Sequence, residues 1–129
     1  IAYSKFGSGS AIGGLSALYH YNLAEQVPGE IWVMVPPEKR TRETGYKLIR
    51  TKTRLDKQVT DEKGYRIVTV ERAALEALKF ITKVGERTAI KAAREALATR
   101  RTTEAKLARA ARELELESVL AKYLEVIVP

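Results

Sequence analysis

The spacing of apolar residues divides the chain into a strand-rich first half and a helical second half. Residues 31–35, Ile-Trp-Val-Met-Val, are apolar on both faces, which predicts a strand in the interior of a sheet. Tyr46–Arg50 predicts a second strand. Residues 61–64, Asp-Glu-Lys-Gly, form a turn sequence between short strands at 58–60 and 65–70, so we expect a hairpin there.

A helical period precedes these strands. Ser10 is a good N-cap residue, and Ile12, Leu15 and Leu18 follow it at the spacing of one helix face. This pattern predicts an N-terminal helix that ends near Asn22.

The helical period returns after the strands and continues to the end of the chain. Thr69 is positioned to cap a first helix, Gly85 interrupts the pattern, and Thr102 or Thr103 caps a later helix. Residues 116–127 carry a wide apolar stripe, which predicts a terminal helix.

Helices and strands are therefore segregated along the chain, which indicates an α+β fold and not alternating βαβ units. We predict one domain over residues 1–129: an N-terminal helix, a small, mostly antiparallel sheet of about four strands, and a C-terminal helical bundle. We expect the apolar residues of the first helix and strand to pack against the later helices; they are Leu15, Leu18, Ile31, Val33 and Val35, against Leu75, Leu78 and the terminal helix.

Composition excludes several classes of protein. The 129 residues suffice for one core, and 45% of them are hydrophobic, as in an ordinary globular domain. No cysteine is present, which excludes disulfides and thiolate chemistry. The apolar runs are far shorter than the roughly 18 residues of a membrane span, so we expect a cytoplasmic protein with no membrane partner.

The glycines at the start raise the question of a nucleotide site. Gly7, Gly9 and Gly13 imitate the spaced glycines that bring backbone N–H groups to a phosphate, but the strands that follow do not alternate with helices. His20 is the single histidine, and no metal-ligand spacing or catalytic triad accompanies it. We predict a protein that is not an enzyme and needs no cofactor or metal. The alternatives are a nucleotide-dependent enzyme using the glycine-rich segment and a plain protein-interaction domain.

Charge points to an anionic partner. The 23 lysines and arginines exceed the 16 acidic residues, giving a net charge of +7. Residues 37–57 hold eight basic and three acidic residues, which suits contacts to nucleic-acid phosphates. A second basic cluster lies on one predicted helix face, with solvated helix faces as the rival interpretation. The predicted nucleic-acid-binding residues are Lys39, Arg40, Arg42, Lys47, Arg50, Lys52 and Arg54 in the first cluster, and Arg87, Lys91 and Arg94 in the second.

Two segments carry a resemblance to a known family. The stretch AIGGLSALYHYNLAEQVPGEIWVMVP, residues 11–36, resembles the start of the C-terminal domain of AbiEi-type antitoxins, which belong to abortive-infection, type IV toxin–antitoxin systems. The matching residues are Gly14, Ser16, Ala17, Leu18, Leu23, Val27, Pro28, Trp32 and Val33. RIVTVERAALEAL, residues 66–78, is similar at the right distance, although Glu76 stands where the family usually has an aspartate and Ala73 replaces a common threonine. The tail, ending LAKYLE, also looks similar.

The resemblance implies a function that spacing and charge do not. Family members join an N-terminal winged-helix DNA-binding domain to this C-terminal domain, repress their own operon and counteract a nucleotidyltransferase-like toxin without a stable complex. The chain begins with Ile1 and not methionine, so we expect it to lack the winged helix. The implied partners are operator DNA or RNA and, functionally, the cognate toxin.

Overall fold

The computed structural model describes residues 9–38 and 44–129. The chain forms an α+β fold with a five-stranded mixed sheet. The strands are β1 (Ala11–Ile12), β2 (Ile31–Val35), β3 (Tyr46–Arg50), β4 (Val59–Glu62) and β5 (Tyr65–Val68). The helices are α1 (Gly14–His20), α2 (Val70–Lys79), α3 (Ile81–Val84), α4 (Glu86–Ala98), α5 (Glu104–Leu114) and α6 (Glu117–Ile127).

The sheet differs from the expected mostly antiparallel arrangement of about four strands. Its order is β3-β2-β1-β5-β4. The β1–β2 and β4–β5 pairs are antiparallel, whereas the β1–β5 and β2–β3 pairs are parallel. The interior β2 strand, the β3 strand and the β4–β5 hairpin are confirmed. The parallel pairings were missed because local periodicity does not show which strands pair or in which direction.

The first described element is the strand β1 and not the predicted helix. Ala11 pairs with Met34, while Ile12 pairs with Val33 on one side and Ile67 on the other, so this two-residue strand lies at the centre of the sheet. Helix α1 begins later, at Gly14, and Gly13 is its N-cap. The assignment of Ser10 as the N-cap was wrong, because two residues are too few to show the strand period of two.

Alternation along β2 sends its side chains into two separate apolar clusters. Trp32 and Met34 join the main core, which also contains Leu18 and Leu75. Val33 and Val35 are fully buried in a smaller cluster on the opposite face of the sheet. The expectation that Val33 and Val35 pack against the later helices was therefore wrong, because both lie on the face opposite the one that Trp32 and Met34 share with Leu75. Ile31 is only partly buried and belongs to the smaller cluster.

The helical half follows the predicted boundaries closely. The Thr69 hydroxyl accepts a hydrogen bond from the N–H of Arg72 at 3.2 Å, which caps α2. Thr103, and not Thr102, caps α5 in the same way through the N–H of Lys106. Gly85, with φ at +101°, separates α4 from the short helix α3, which periodicity did not predict. Helices α2, α4, α5 and α6 all contribute to the main core.

Candidate nucleic-acid interface

The first basic cluster is only partly within the described residues. Lys39, Arg40 and Arg42 fall outside them. Lys47 and Arg50 both lie on β3, but the strand alternation sends them to opposite faces of the sheet. The Lys47 ammonium lies 4.3 Å from the centroid of the Trp32 ring, a cation–π contact on the core side. The structure therefore does not gather the whole predicted cluster on one surface.

The loop that follows β3 presents its basic residues to solvent. Lys52 and Arg54 are exposed, and Lys57 is partly exposed. Arg54 is also engaged by a neighbour: its Nε donates to Oδ1 of Asp56 at 3.0 Å, and its Nη2 donates to the other carboxylate oxygen. These hydrogen bonds from Arg54 lower the pKa of Asp56 below its ordinary value. Asp56 therefore offsets part of the charge that Arg54 offers to a phosphate.

Two buried arginines donate hydrogen bonds to the backbone of this loop from the protein interior. Arg72, at the start of α2, donates through Nη1 to the carbonyl oxygens of Arg54, at 2.5 Å, and Lys57, at 2.8 Å. Arg66, on β5, donates through Nη2 to the carbonyl of Leu55 at 2.6 Å and through Nη1 to that of Ser10. Three carbonyls of residues 54–57 are thus bound by the protein interior.

Sequence reasoning assigned neither arginine to the interface. Arg72 lies in the second segment of the family resemblance, residues 66–78, at the start of a helix that Thr69 caps. The available signal was its spacing: Arg72 lies three residues before Leu75 and four before Glu76, so all three share one helix face. An arginine on an inward-facing stripe predicts a buried guanidinium, but not which groups bind it. Within the part of the chain that the structure describes, Nη2 of Arg72 and Oε1 of Glu76 have no hydrogen-bond partner.

Glu76 is the ionic partner of Arg72. Its Oε2 accepts from Arg72 Nε at 3.0 Å, and the two side chains are 1% and 0% exposed. Burial raises the pKa of Glu76, and the neighbouring Arg72 charge opposes that rise. A buried pair of this kind contributes little net stability, but breaking it leaves an uncompensated charge in the interior.

A groove of about 440 Å³ runs beside the loop. Lys52, Arg54, Lys57 and Lys79 line it, with Lys79 contributed by the end of α2. The Lys79 Nζ lies 3.5 Å from the Thr53 hydroxyl oxygen. Residues at the α5–α6 junction form the remaining wall, including two glutamates, Glu113 and Glu115.

The second basic cluster lies together on α4, as its spacing predicts. Arg87, Lys91 and Arg94 line a depression of about 490 Å³ that Glu86 and Glu95 also border. Each cation has a different environment.

Two of these three cations have partners within the protein. Lys91 Nζ pairs with Glu25 at 3.5 Å, with both side chains largely exposed. Arg94 donates through Nε, at 3.1 Å, and Nη2, at 2.6 Å, to the carbonyl of Val126 in the last turn of α6. Arg94 therefore joins two helices, which is a structural role beside its predicted one.

The opening glycines make close packing contacts. A Cβ atom on Gly13 would lie 2.4 Å from Cγ of Met34, and one on Gly14 would lie 2.3 Å from Cε3 of Trp32. Gly9 is exposed with open space around it, and Gly7 falls outside the described residues. Gly13 and Gly14 therefore let α1 approach β2.

His20 lies at a groove of about 700 Å³. Its ring stands edge-on to Tyr21, with centroids 5.0 Å apart, and to Tyr65 at 6.4 Å. Glu30 also lines this groove, whereas Gly9 and Gly13 do not. Within residues 9–38 and 44–129, no group of three histidine or acidic side chains is placed to hold a metal ion.

Neither the models of known protein families nor the curated proteins give a match to this chain. Among the described residues, none of the helices has the length and apolar character needed to cross a bilayer.

Proposed function

We propose that this chain is the antitoxic C-terminal domain of an AbiEi-type antitoxin, which counteracts a nucleotidyltransferase-like toxin and assists operator binding through its basic surface. The proposal begins from the resemblance of residues 11–36 and 66–78 to that family. It is a regulatory and not a catalytic function.

The observation that carries the proposal is the contact made by the residues of the resemblance. The Ser16 hydroxyl oxygen accepts a hydrogen bond from the N–H of Trp32 at 2.8 Å. Gly14, two residues earlier, lies against the ring of the same Trp32. The glycine, serine and tryptophan are 18 positions apart at most and meet at one place, where α1 crosses the start of β2. A motif whose members contact each other is a signature of a fold, and this supports a relationship at the level of the domain.

The second segment of the resemblance also serves the fold. Thr69 caps α2, while Arg72 and Glu76 form the buried ion pair that reaches the basic loop. Glutamate at the position where the family usually has aspartate supplies a carboxylate that reaches Arg72 one turn away. This supports equating the two segments with the family pattern.

Co-expression with the product of the neighbouring gene, which we expect to be the toxin, tests the antitoxin function. We expect this chain alone to relieve the growth arrest that the toxin causes. The matched control is Leu18→Asp, which places a charge at a fully buried position and should abolish both folding and relief. Continued arrest in cells that contain the soluble, folded chain would contradict the proposal.

Salt dependence tests the nucleic-acid part separately. On duplex DNA each neutralised phosphate contributes about −0.9 to the slope of log K against log salt. Replacing Arg40, Arg42, Arg50 and Arg54 by glutamine should flatten that slope by up to about 3.6 units. The same change at the α4 cluster distinguishes the two surfaces. If neither set of glutamine substitutions altered DNA binding, the surplus of basic residues would serve only to keep the surface solvated.

A further inference from the structure

The loop between β3 and β4, residues 51–58, has its backbone fixed from inside the protein. Arg72 binds the carbonyls of Arg54 and Lys57, and Arg66 binds that of Leu55. Arg72 is itself held by Glu76 at 3.0 Å, with both side chains at most 1% exposed. A guanidinium bound to a buried carboxylate cannot swing away without exposing an unpaired charge to the interior, so it is a rigid support for the loop.

The two ends of the loop are tied as well. The Thr51 hydroxyl accepts from the N–H of Thr53 at 3.1 Å, and the Thr51 N–H donates to the carbonyl of Val35 at 2.9 Å. At the far end, the Thr69 N–H donates to the carbonyl of Gln58 at 3.0 Å, and the Thr69 hydroxyl donates to the side-chain oxygen of Gln58 at 2.7 Å. The backbone is therefore anchored along its length, while the side chains of Lys52, Arg54 and Lys57 line a groove open to solvent.

We propose that residues 51–58 form a preorganised loop that binds the sugar–phosphate backbone of a nucleic-acid duplex, that Arg72 is its positioning residue, and that Lys79 adds a fourth cation. This rests on the nucleic-acid part of the proposed function. Lys79 is included as a phosphate contact because its ammonium group lies 3.5 Å from the Thr53 hydroxyl oxygen and its side chain lines the same groove.

An ordered loop binds more tightly because it loses less conformational entropy on binding. A loop that is already ordered loses less conformational freedom on binding than a mobile one, which raises affinity without adding contacts. Arg72 contributes no charge to the surface, because it is fully buried and paired with Glu76. Removing the pair should therefore weaken binding while the number of neutralised phosphates stays the same.

The test uses the 129-residue chain and a 20-base-pair duplex DNA of mixed sequence. Arg72→Met combined with Glu76→Leu removes the support without changing net charge, and replacing a buried ion pair by apolar residues is often tolerated. Lys52→Gln, Arg54→Gln and Lys57→Gln together are the matched control, since they remove surface charge and leave the carbonyls bound.

Two measurements separate the roles. Trypsin cleavage after Lys52, Arg54 and Lys57 reports on the order of the loop, and we expect it to accelerate in the Met/Leu variant. The affinity of that variant should fall about tenfold, the equivalent of about 1.4 kcal/mol, with an unchanged salt slope. The glutamine control should instead flatten the slope by up to about 2.7 units. If the Met/Leu variant does not fold, Arg72→Lys replaces it, because a single ammonium cannot reproduce both the Nε contact to Glu76 and the separate Nη1 contacts to the two carbonyls.

Three outcomes overturn the proposal. Faster cleavage with unchanged affinity shows that the loop is held but does not bind DNA. Unchanged cleavage shows that Arg72 does not position the loop. A wild-type chain that relieves toxin arrest but does not bind the duplex removes this inference and leaves the antitoxin function standing. Conversely, a chain that binds as expected without relieving arrest contradicts only the antitoxin function.

Discussion

Substituting Gly14 by alanine tests whether the opening glycines serve packing. The new Cβ atom would lie 2.3 Å from Cε3 of Trp32, a distance that real Cβ atoms do not tolerate. Trp32 is 6% exposed, so its ring has little room to retreat. Gly14 also has φ at +53°, which alanine adopts at a cost of about 1–2 kcal/mol. Overpacking of a core adds about 1–3 kcal/mol.

Two other glycines separate these contributions. Gly64 has φ at +87° with nothing within 4 Å of a Cβ atom, so Gly64→Ala carries the backbone cost alone. Gly13 has an extended backbone and a close contact only to the Met34 side chain, so Gly13→Ala carries the steric cost alone. We expect Gly14→Ala to lower the free energy of unfolding by roughly 2–5 kcal/mol, more than either control.

Urea unfolding followed by far-UV circular dichroism measures all three variants. A change in midpoint at constant m-value reports a change in stability. In a Trp32→Leu background the cost of Gly14→Ala should fall to that of Gly64→Ala, because the clashing ring atoms are gone. A Gly14→Ala variant no less stable than Gly64→Ala would refute the packing role of Gly14.

Four further predictions concern ligands, charge and helix contacts. Millimolar ATP, GTP or NAD should leave the melting temperature unchanged, whereas a ligand at about 100 times its dissociation constant would add roughly 2.7 kcal/mol. Asp56→Asn should tighten duplex DNA binding about twofold or more at low salt, because it releases Arg54 from its carboxylate partner. The pKa of Glu76 is raised in the folded state, so its contribution to stability is complete below the ordinary carboxyl pKa and is lost as pH rises through the raised value. Urea titrations that begin below the ordinary carboxyl pKa and continue upward should show this loss in the wild type and not in Glu76→Gln. Arg94→Gln should lower the free energy of unfolding by about 1 kcal/mol in the same assay, because the carbonyl of Val126 loses its donor; equal stability would deny Arg94 its helix-joining role.

Local patterns in the sequence predicted most of the elements, but not β1 or α3. β2, β3 and the hairpin of β4 and β5 were predictable because a run of apolar residues, or a turn sequence, specifies a short segment without reference to anything distant. The helix caps at Thr69 and Thr103 were readable for the same reason, since a cap joins a side chain to a backbone N–H three residues away.

The pairing of these elements depends on contacts between distant parts of the chain. The central position of β1 depends on partners more than 20 residues away on one side and more than 50 on the other. Among the described residues, Trp32 and Met34 pack with residues of the helices, whereas Val33 and Val35 pack with strand residues such as Leu48, so the two faces of β2 belong to distinct clusters.

The residues of the candidate interface also differ in how far the sequence could predict them. The surplus of basic residues along the chain predicted Lys52 and Arg54 as candidate phosphate contacts, because charge can be counted without knowledge of the fold. The support beneath them was not readable, since Arg72 reaches carbonyls 15 and 18 residues earlier and does so from the interior. Long-range hydrogen bonds to a backbone carbonyl leave no trace in the sequence, because every residue at the accepting position offers the same oxygen.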